Sequence, residues 1–231
     1  MDHADLRAEL LAGLRAQADP ERAAQMERYM KGQARYWGVP KPALKGLLAG
    51  VLAGGDKLSW VDARDTAQAV WSQAERREEQ YLALLLTGAQ RHRRHLRLAE
   101  LPLFERWIVE GAWWDLVDDL AVNRLGPMYA EPQRMEAEMR AWAEDADLWK
   151  RRSAILSQLK RREQTDTELL EACILPSIER PEFWLRKAIG WVLRQYARTD
   201  PDWVVAFVAD HPEMSGLSRR EATKHLGGYA G

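Results

Sequence analysis

The 231-residue sequence holds one cysteine, Cys173, so no internal disulfide can form and a reducing compartment such as the cytoplasm is the expected setting. A lone thiol of this kind reads as a small core residue rather than a nucleophile. No apolar run approaches the roughly 18 residues that a membrane-spanning helix needs. Asp2, Asp5, Arg7 and Glu9 spread charge through the first residues, which speaks against a secretory signal. There is no glycine-rich phosphate loop, no Cys-x-x-Cys and no Gly-x-Ser-x-Gly elbow. His92-x-x-His95 stands in a run of arginines without a cysteine or acid to complete a metal set, so neither a metal nor a cofactor is expected. The formal charge of -1 excludes a uniformly basic nucleic-acid binder. It leaves room for a basic face balanced by an acidic one. The charge is segregated along the chain: residues 99–149 carry twelve Asp and Glu against four arginines, and Arg91, Arg93, Arg94 and Arg97 form a positive block just before them.

Alternating, strand-like patterning is also absent. Nearly every segment has the helical period, with Ala, Leu, Arg and Glu predominating. Asp19-Pro20, Gly38-Val39-Pro40, Gly54-Gly55, Gly126-Pro127, Pro132, Pro176, Pro181, Pro201 and Pro212 read as turns between helices of ordinary length. Thr199-Asp200-Pro201 places a capping residue before a proline at the first helical position, and Ser218 is the expected cap of the last helix. The chain is predicted to be all-α, a single domain over residues 1–231.

An internal repeat sharpens this. Trp149-x-x-Arg152-x-Ala154, Phe183-x-x-Arg186-x-Ala188 and Leu217-x-x-Arg220-x-Ala222 share one pattern at an offset of 34 residues, a period at which helix pairs stack. One further step back from Arg152 lands on Asp118. Equivalent positions of stacked repeats line one surface, so Asp118, Arg152, Arg186 and Arg220 are expected in a row, either as a binding surface or as a structural ladder of arginine stems and acids.

Two helices carry unusual surface chemistry. In Trp113-Trp114-Asp115-Leu116-Val117-Asp118, the apolar set Trp113, Leu116, Val117 and Leu120 defines a buried stripe. Trp114 and Asp118, four residues apart, fall together beside that stripe, with Asp115 supporting or solvated. In the helix from Phe183 to Tyr196, Leu185, Ala188, Ile189, Val192 and Tyr196 face the core. Trp191 lies away from them between Lys187 and Arg194, an aromatic on a basic face, as a protein would use against phosphates and bases, or as a residue covered by the next helix pair would look. Lys150-Arg151-Arg152, Lys160-Arg161-Arg162 and Arg219-Arg220 with Lys224 recur about once per repeat and together suggest a concave positive groove.

These strings, Trp113-Trp114-Asp115-Leu116-Val117-Asp118, Arg152-Ser153-Ala154-Ile155-Leu156, Arg186-Lys187-Ala188-Ile189-Gly190-Trp191-Val192-Leu193-Arg194 and Leu217-Ser218-Arg219-Arg220-Glu221-Ala222, resemble the AlkD-like DNA alkylation repair enzymes. The resemblance is closest over residues 107–226 and extends to Arg28-Tyr29-Met30-Lys31. It implies a curved solenoid of stacked HEAT-like repeats, about six helix pairs, with a concave face that clamps duplex DNA. It implies a glycosylase that hydrolyses the N-glycosidic bond of cationic N3- and N7-alkylpurines, chiefly 3-methyladenine and 7-methylguanine, without a base-binding pocket. Asp118 would be the catalytic carboxylate and Trp114 and Trp191 the aromatics flanking the lesion, with Arg152 a phosphate contact and Tyr29 a further site residue. Lys31, Lys187, Arg194, Arg186 and Arg220 would extend the DNA contacts of a monomer. An alkylated purine already departs readily, so the carboxylate has only to stabilise positive charge on the sugar. At about 4 Å and an effective dielectric near 20 that is worth on the order of 4 kcal/mol, a rate factor of roughly a thousand. No lysine is placed as an amine nucleophile, which points to hydrolysis without strand cleavage. The competing reading is a non-catalytic HEAT-like scaffold that binds DNA or an acidic protein partner, with Trp114 and Trp191 as interface anchors.

Overall fold

The computed structural model describes residues 3–53 and 58–226, and among them all regular structure is helical. The Gly54-Gly55 turn lies outside the described residues. The chain forms two compact units, Met1–His95 and Leu96–Gly231.

The first unit contains α1 (His3–Ala16), α2 (Pro20–Tyr29), α3 (Lys41–Ala53), α4 (Trp60–Ser72) and α5 (Arg77–Thr87). Asp19 caps α2 through the amide of Arg22 at 3.0 Å, with Pro20 at the first helical position where no amide is needed. Gly38 is indispensable here: its φ is +85°, and a Cβ would sit 2.1 Å from the Asp19 carbonyl oxygen. The connection before α3 is pinned by Glu78, a fully buried acid of α5 whose carboxylate accepts the amides of Trp37, Gly38 and Val39 at 2.8–3.0 Å. His92 is buried beside Trp60, and burial together with Arg91, His95 and Arg94 pushes its pKa down to about 4. It is a neutral ring at physiological pH.

The second unit contains α6 (Leu101–Gly111), α7 (Trp114–Leu120), α8 (Gly126–Met128), α9 (Pro132–Glu144), α10 (Leu148–Leu156), α11 (Thr167–Ile174), α12 (Phe183–Tyr196), α13 (Pro201–Asp210) and α14 (Gly216–Ala222). The chain does not turn at Gly126-Pro127 as its sequence suggests; a wide helical turn over Ala121–Leu125 runs directly into α8. Asp147, Asp166 and Asp200 cap α10, α11 and α13, each accepting a backbone amide at 2.8–3.0 Å. The cap of α14 is Ser215, not Ser218. The Ser215 Oγ accepts the Ser218 amide at 3.1 Å, while Ser218 is buried inside the helix and donates its hydroxyl to the Arg186 carbonyl at 3.0 Å.

The stacking follows the repeat. α7 packs on α10, α10 on α12, and α12 on α14. Ile155, Leu185, Ile189, Val192, Val204 and Phe207 lie in one core between them, each contributing roughly 2 kcal/mol through burial. Side chains one repeat apart touch: Arg152 reaches Asp118 and Lys187 reaches Glu221, each pair separated by 34 residues.

Candidate active site

The site is built at the start of α7. Ala112 closes α6 in a left-handed conformation, φ +34°, which aligns Trp113 as an extended lead-in and makes Trp114 the first residue of the helix. Asp118 follows one turn later, so the tryptophan and the acid share a face, both half-buried. Asp115 is buried, not solvated. Trp113 is only half-buried and stands in an aromatic cluster rather than in the core proper, with its indole N–H buried and unpartnered.

Asp118 is held by a fork. Its Oδ1 accepts from Nε of Arg152 at 2.7 Å and its Oδ2 from Nη2 at 2.8 Å, the bidentate geometry that favours arginine over lysine. The third nitrogen, Nη1, donates to the Trp184 carbonyl. The Arg152 side chain is 4% exposed and Asp118 15%. Arg152 therefore faces Asp118 rather than the surface. Burial pushes the Asp118 pKa above the ordinary aspartate value, opposed by the hydrogen bonds and charge of Arg152. The result is an aspartate more basic than a free one yet fixed in orientation.

Four tryptophans cluster beside this pair. Trp184 is their hub: its ring meets Trp113 edge-on at 5.2 Å, lies near-parallel to Trp114 at 6.5 Å, and approaches Trp149 at 6.1 Å. The Arg152 guanidinium lies 5.8 Å from its centroid. Such ring pairs prefer edge-on or offset contacts and hold one another in place. Phe183, next to the hub, is half exposed. The sequence did carry a signal for Trp184, since Trp114, Trp149 and Trp184 recur at 35 residues near the starts of α7, α10 and α12. That spacing differs by one from the arginine repeat.

The other expected residues sit on several elements. Trp191 is on α12, partly covered by the core. Lys187 and Arg194 on either side of it are not free: Lys187 Nζ bonds Glu221 Oε1 at 2.8 Å and Arg194 Nη1 bonds Glu221 Oε2. The hydrogen bond from Lys187, together with the charges of both cations, holds the Glu221 pKa below the ordinary glutamate value. Arg186 donates to the Arg180 carbonyl at 3.0 Å, and Arg220 is exposed. Along the expected row, Asp118 and Arg152 make the one tight side-chain pair. The basic triad at residues 150–152 does not form a free cationic strip. Lys150 pairs with Glu105 and Asp145, and Arg151 donates to the Glu144, Asp145 and Pro176 carbonyls, closing the end of α9. Arg219 does the same for α13 through the Val208 and His211 carbonyls. Lys160, Arg162 and Lys224 remain exposed. Tyr29 and Lys31 belong to the first unit, at the end of α2, and both are exposed. Cys173 is buried, its thiol pKa pushed up to about 12, in keeping with a core role. Among the described residues no group of His, Cys, Asp or Glu is arranged to hold a metal, and no helix is long and apolar enough to cross a membrane.

Comparison with known proteins gives a consistent answer. A family model described as DNA alkylation repair enzyme matches residues 10–226. Among solved structures, a "Predicted DNA alkylation repair enzyme from Enterococcus faecalis" is 32% identical, covers 91% of this chain and 97% of its own, and superposes with a TM-score of 0.78. No curated protein matches. The helical repeats, the match over most of the chain and the similarity to a solved member place this protein in the DNA alkylation repair enzyme family.

Proposed function

We propose that this protein is a DNA glycosylase that hydrolyses the N-glycosidic bond of cationic N3- and N7-alkylpurines in duplex DNA and leaves the strand intact. The observation that carries this reading is the Asp118 carboxylate, clamped in a bidentate pair with Arg152 at the margin of a tryptophan cluster. The solved relative's description as an alkylation repair enzyme supports the substrate class. Alkylation at N3 or N7 places positive charge on the base, which leaves without protonation. The sugar then becomes an oxocarbenium ion, the species that a fixed anion stabilises.

Arg152 changes the magnitude. A carboxylate about 4 Å from the sugar, with a guanidinium roughly 4 Å behind it, stabilises the cation by a net of about 2 kcal/mol at an effective dielectric near 20. That is roughly a 30-fold acceleration. The lone-carboxylate value of about 4 kcal/mol applies only if Arg152 leaves the pair when DNA binds. In this reading Arg152 positions Asp118, and the carboxylate orients the attacking water and accepts its proton. Trp114 supplies a polarisable face for the sugar's charge, and Trp191 does the same from α12.

The test is release of free methylated base, with abasic-site formation, from methylated duplex DNA without added metal. Base release supports the reading; DNA that is bound but left intact supports a non-catalytic binder.

A further inference from the structure

Glu221 is the least expected feature of the basic face on α12. Lys187, Trp191 and Arg194 sit at i, i+4 and i+7, so the two cations flank the indole along one helix face. Both reach across to one carboxylate on α14, Lys187 to Oε1 at 2.8 Å and Arg194 to Oε2. The approach of the helices is unusually close at this point. A Cβ on Gly190 would lie 2.5 Å from the Glu221 Cβ and 2.9 Å from the Ser218 carbonyl oxygen, so the glycine lets α14 bring Glu221 against the cations. None of the three charges is sealed off: the side chains of Lys187, Arg194 and Glu221 are 36%, 24% and 20% exposed. A carboxylate with one oxygen on each of two cations has the charge and the two-oxygen bite of a DNA phosphate.

We propose that Glu221 is an internal phosphate mimic, an electrostatic latch that occupies Lys187 and Arg194 in the free protein and is displaced from them by a backbone phosphate when duplex DNA engages the face bearing Trp191. The inference rests on the DNA-acting reading above, though not on glycosylase chemistry. Its consequence is selectivity. Undamaged duplex must compete with the tethered carboxylate, which lowers non-specific affinity and keeps Trp191 from being buried under DNA that carries no lesion.

The experiment is equilibrium binding of the full-length protein to an undamaged duplex oligonucleotide across a salt series, comparing wild type with Glu221→Gln. Freeing the two cations deepens the fall in affinity between about 50 mM and about 200 mM salt by roughly threefold for each phosphate newly neutralised, and tightens binding at the low-salt end. An E221Q protein that binds with the wild-type salt slope, or more weakly, overturns the latch and leaves Glu221 as a tie between α12 and α14. If E221Q does not fold, Lys187→Gln decides the matter. On methylated duplex, which opens the latch, removing a cation that phosphate takes makes the slope shallower by about 0.9, and an unmoved slope there refutes the proposal. Wild-type protein that leaves duplex DNA unbound overturns the DNA-acting reading and the latch with it, whereas bound wild type with an unmoved variant overturns the latch alone.

Discussion

Replacing Arg152 with glutamine tests how the candidate carboxylate is held. The guanidinium is 4% exposed and Asp118 15%, so the change leaves a largely buried anion without its cation. Removing one partner of a buried pair costs about 3–5 kcal/mol, and the residual exposure of Asp118 places this case near 3 kcal/mol. For a chain of this length that lowers Tm by roughly 10 °C. The pH dependence identifies the cause. Burial already raises the Asp118 pKa, and Arg152 is the main opposing influence. In R152Q the folded-state pKa climbs further above the unfolded value of about 4. An acid with a raised folded pKa lowers stability only above its unfolded pKa, where the unfolded chain ionises it freely. The penalty is absent below the unfolded pKa and grows as pH rises through the folded one. Thermal unfolding followed by circular dichroism should therefore show a Tm deficit, relative to wild type, that is full near pH 7.5 and shrinks toward pH 4.5. An equal deficit at both pH values would refute the reasoning, because it would mean that Arg152 acts through its packing on Trp184 and its bond to the Trp184 carbonyl rather than through charge.

Other substitutions test neighbouring parts of the site. Trp184→Ala should slow base excision more than tenfold while binding to duplex DNA changes little, and Trp184→Phe should recover most of the loss; equal losses in both variants would deny the ring its positioning role. Ala112→Gly should raise Tm by a few degrees, since a left-handed alanine costs roughly 1 kcal/mol that glycine does not, and an unchanged or lower Tm would contradict this. Gly190→Ala forces α12 and α14 apart and should cost about 1–3 kcal/mol in chemical denaturation; a neutral result would mean that the close approach is not rigid.

Helical period, proline positions and aspartate caps made the all-helical architecture legible, because each is a local property of the chain. That Trp114 and Asp118 share a helix face was also legible, since i and i+4 lie on one side once a helix forms. The 34-residue offset put Asp118 and Arg152 in one row, but the expectation of Arg152 as a phosphate contact gave no sign that the two side chains form a fork. What the pattern could not convey is which charges satisfy one another. Lys150, Arg151, Lys187, Arg194 and Arg219 read as a cationic surface in sequence, yet each is directed to a carboxylate or a helix-end carbonyl by the packing of neighbouring repeats. Two serines three residues apart both suit the cap of α14, and local sequence does not distinguish Ser215, which caps it, from Ser218, which is buried inside the helix. The 35-residue recurrence marks Trp184 only as one tryptophan of three, because its part as hub lies in four ring contacts and one carbonyl that packing creates.

The most direct test of the central claim is the rate at which 7-methylguanine and 3-methyladenine are freed from methylated duplex DNA under single-turnover conditions, for wild type and Asp118→Asn. The account predicts release by the wild type and a rate roughly a thousandfold lower in the variant, because the substitution removes the carboxylate's about 4 kcal/mol at the sugar and leaves the guanidinium in place, with duplex binding retained. Release at the wild-type rate by D118N would contradict it.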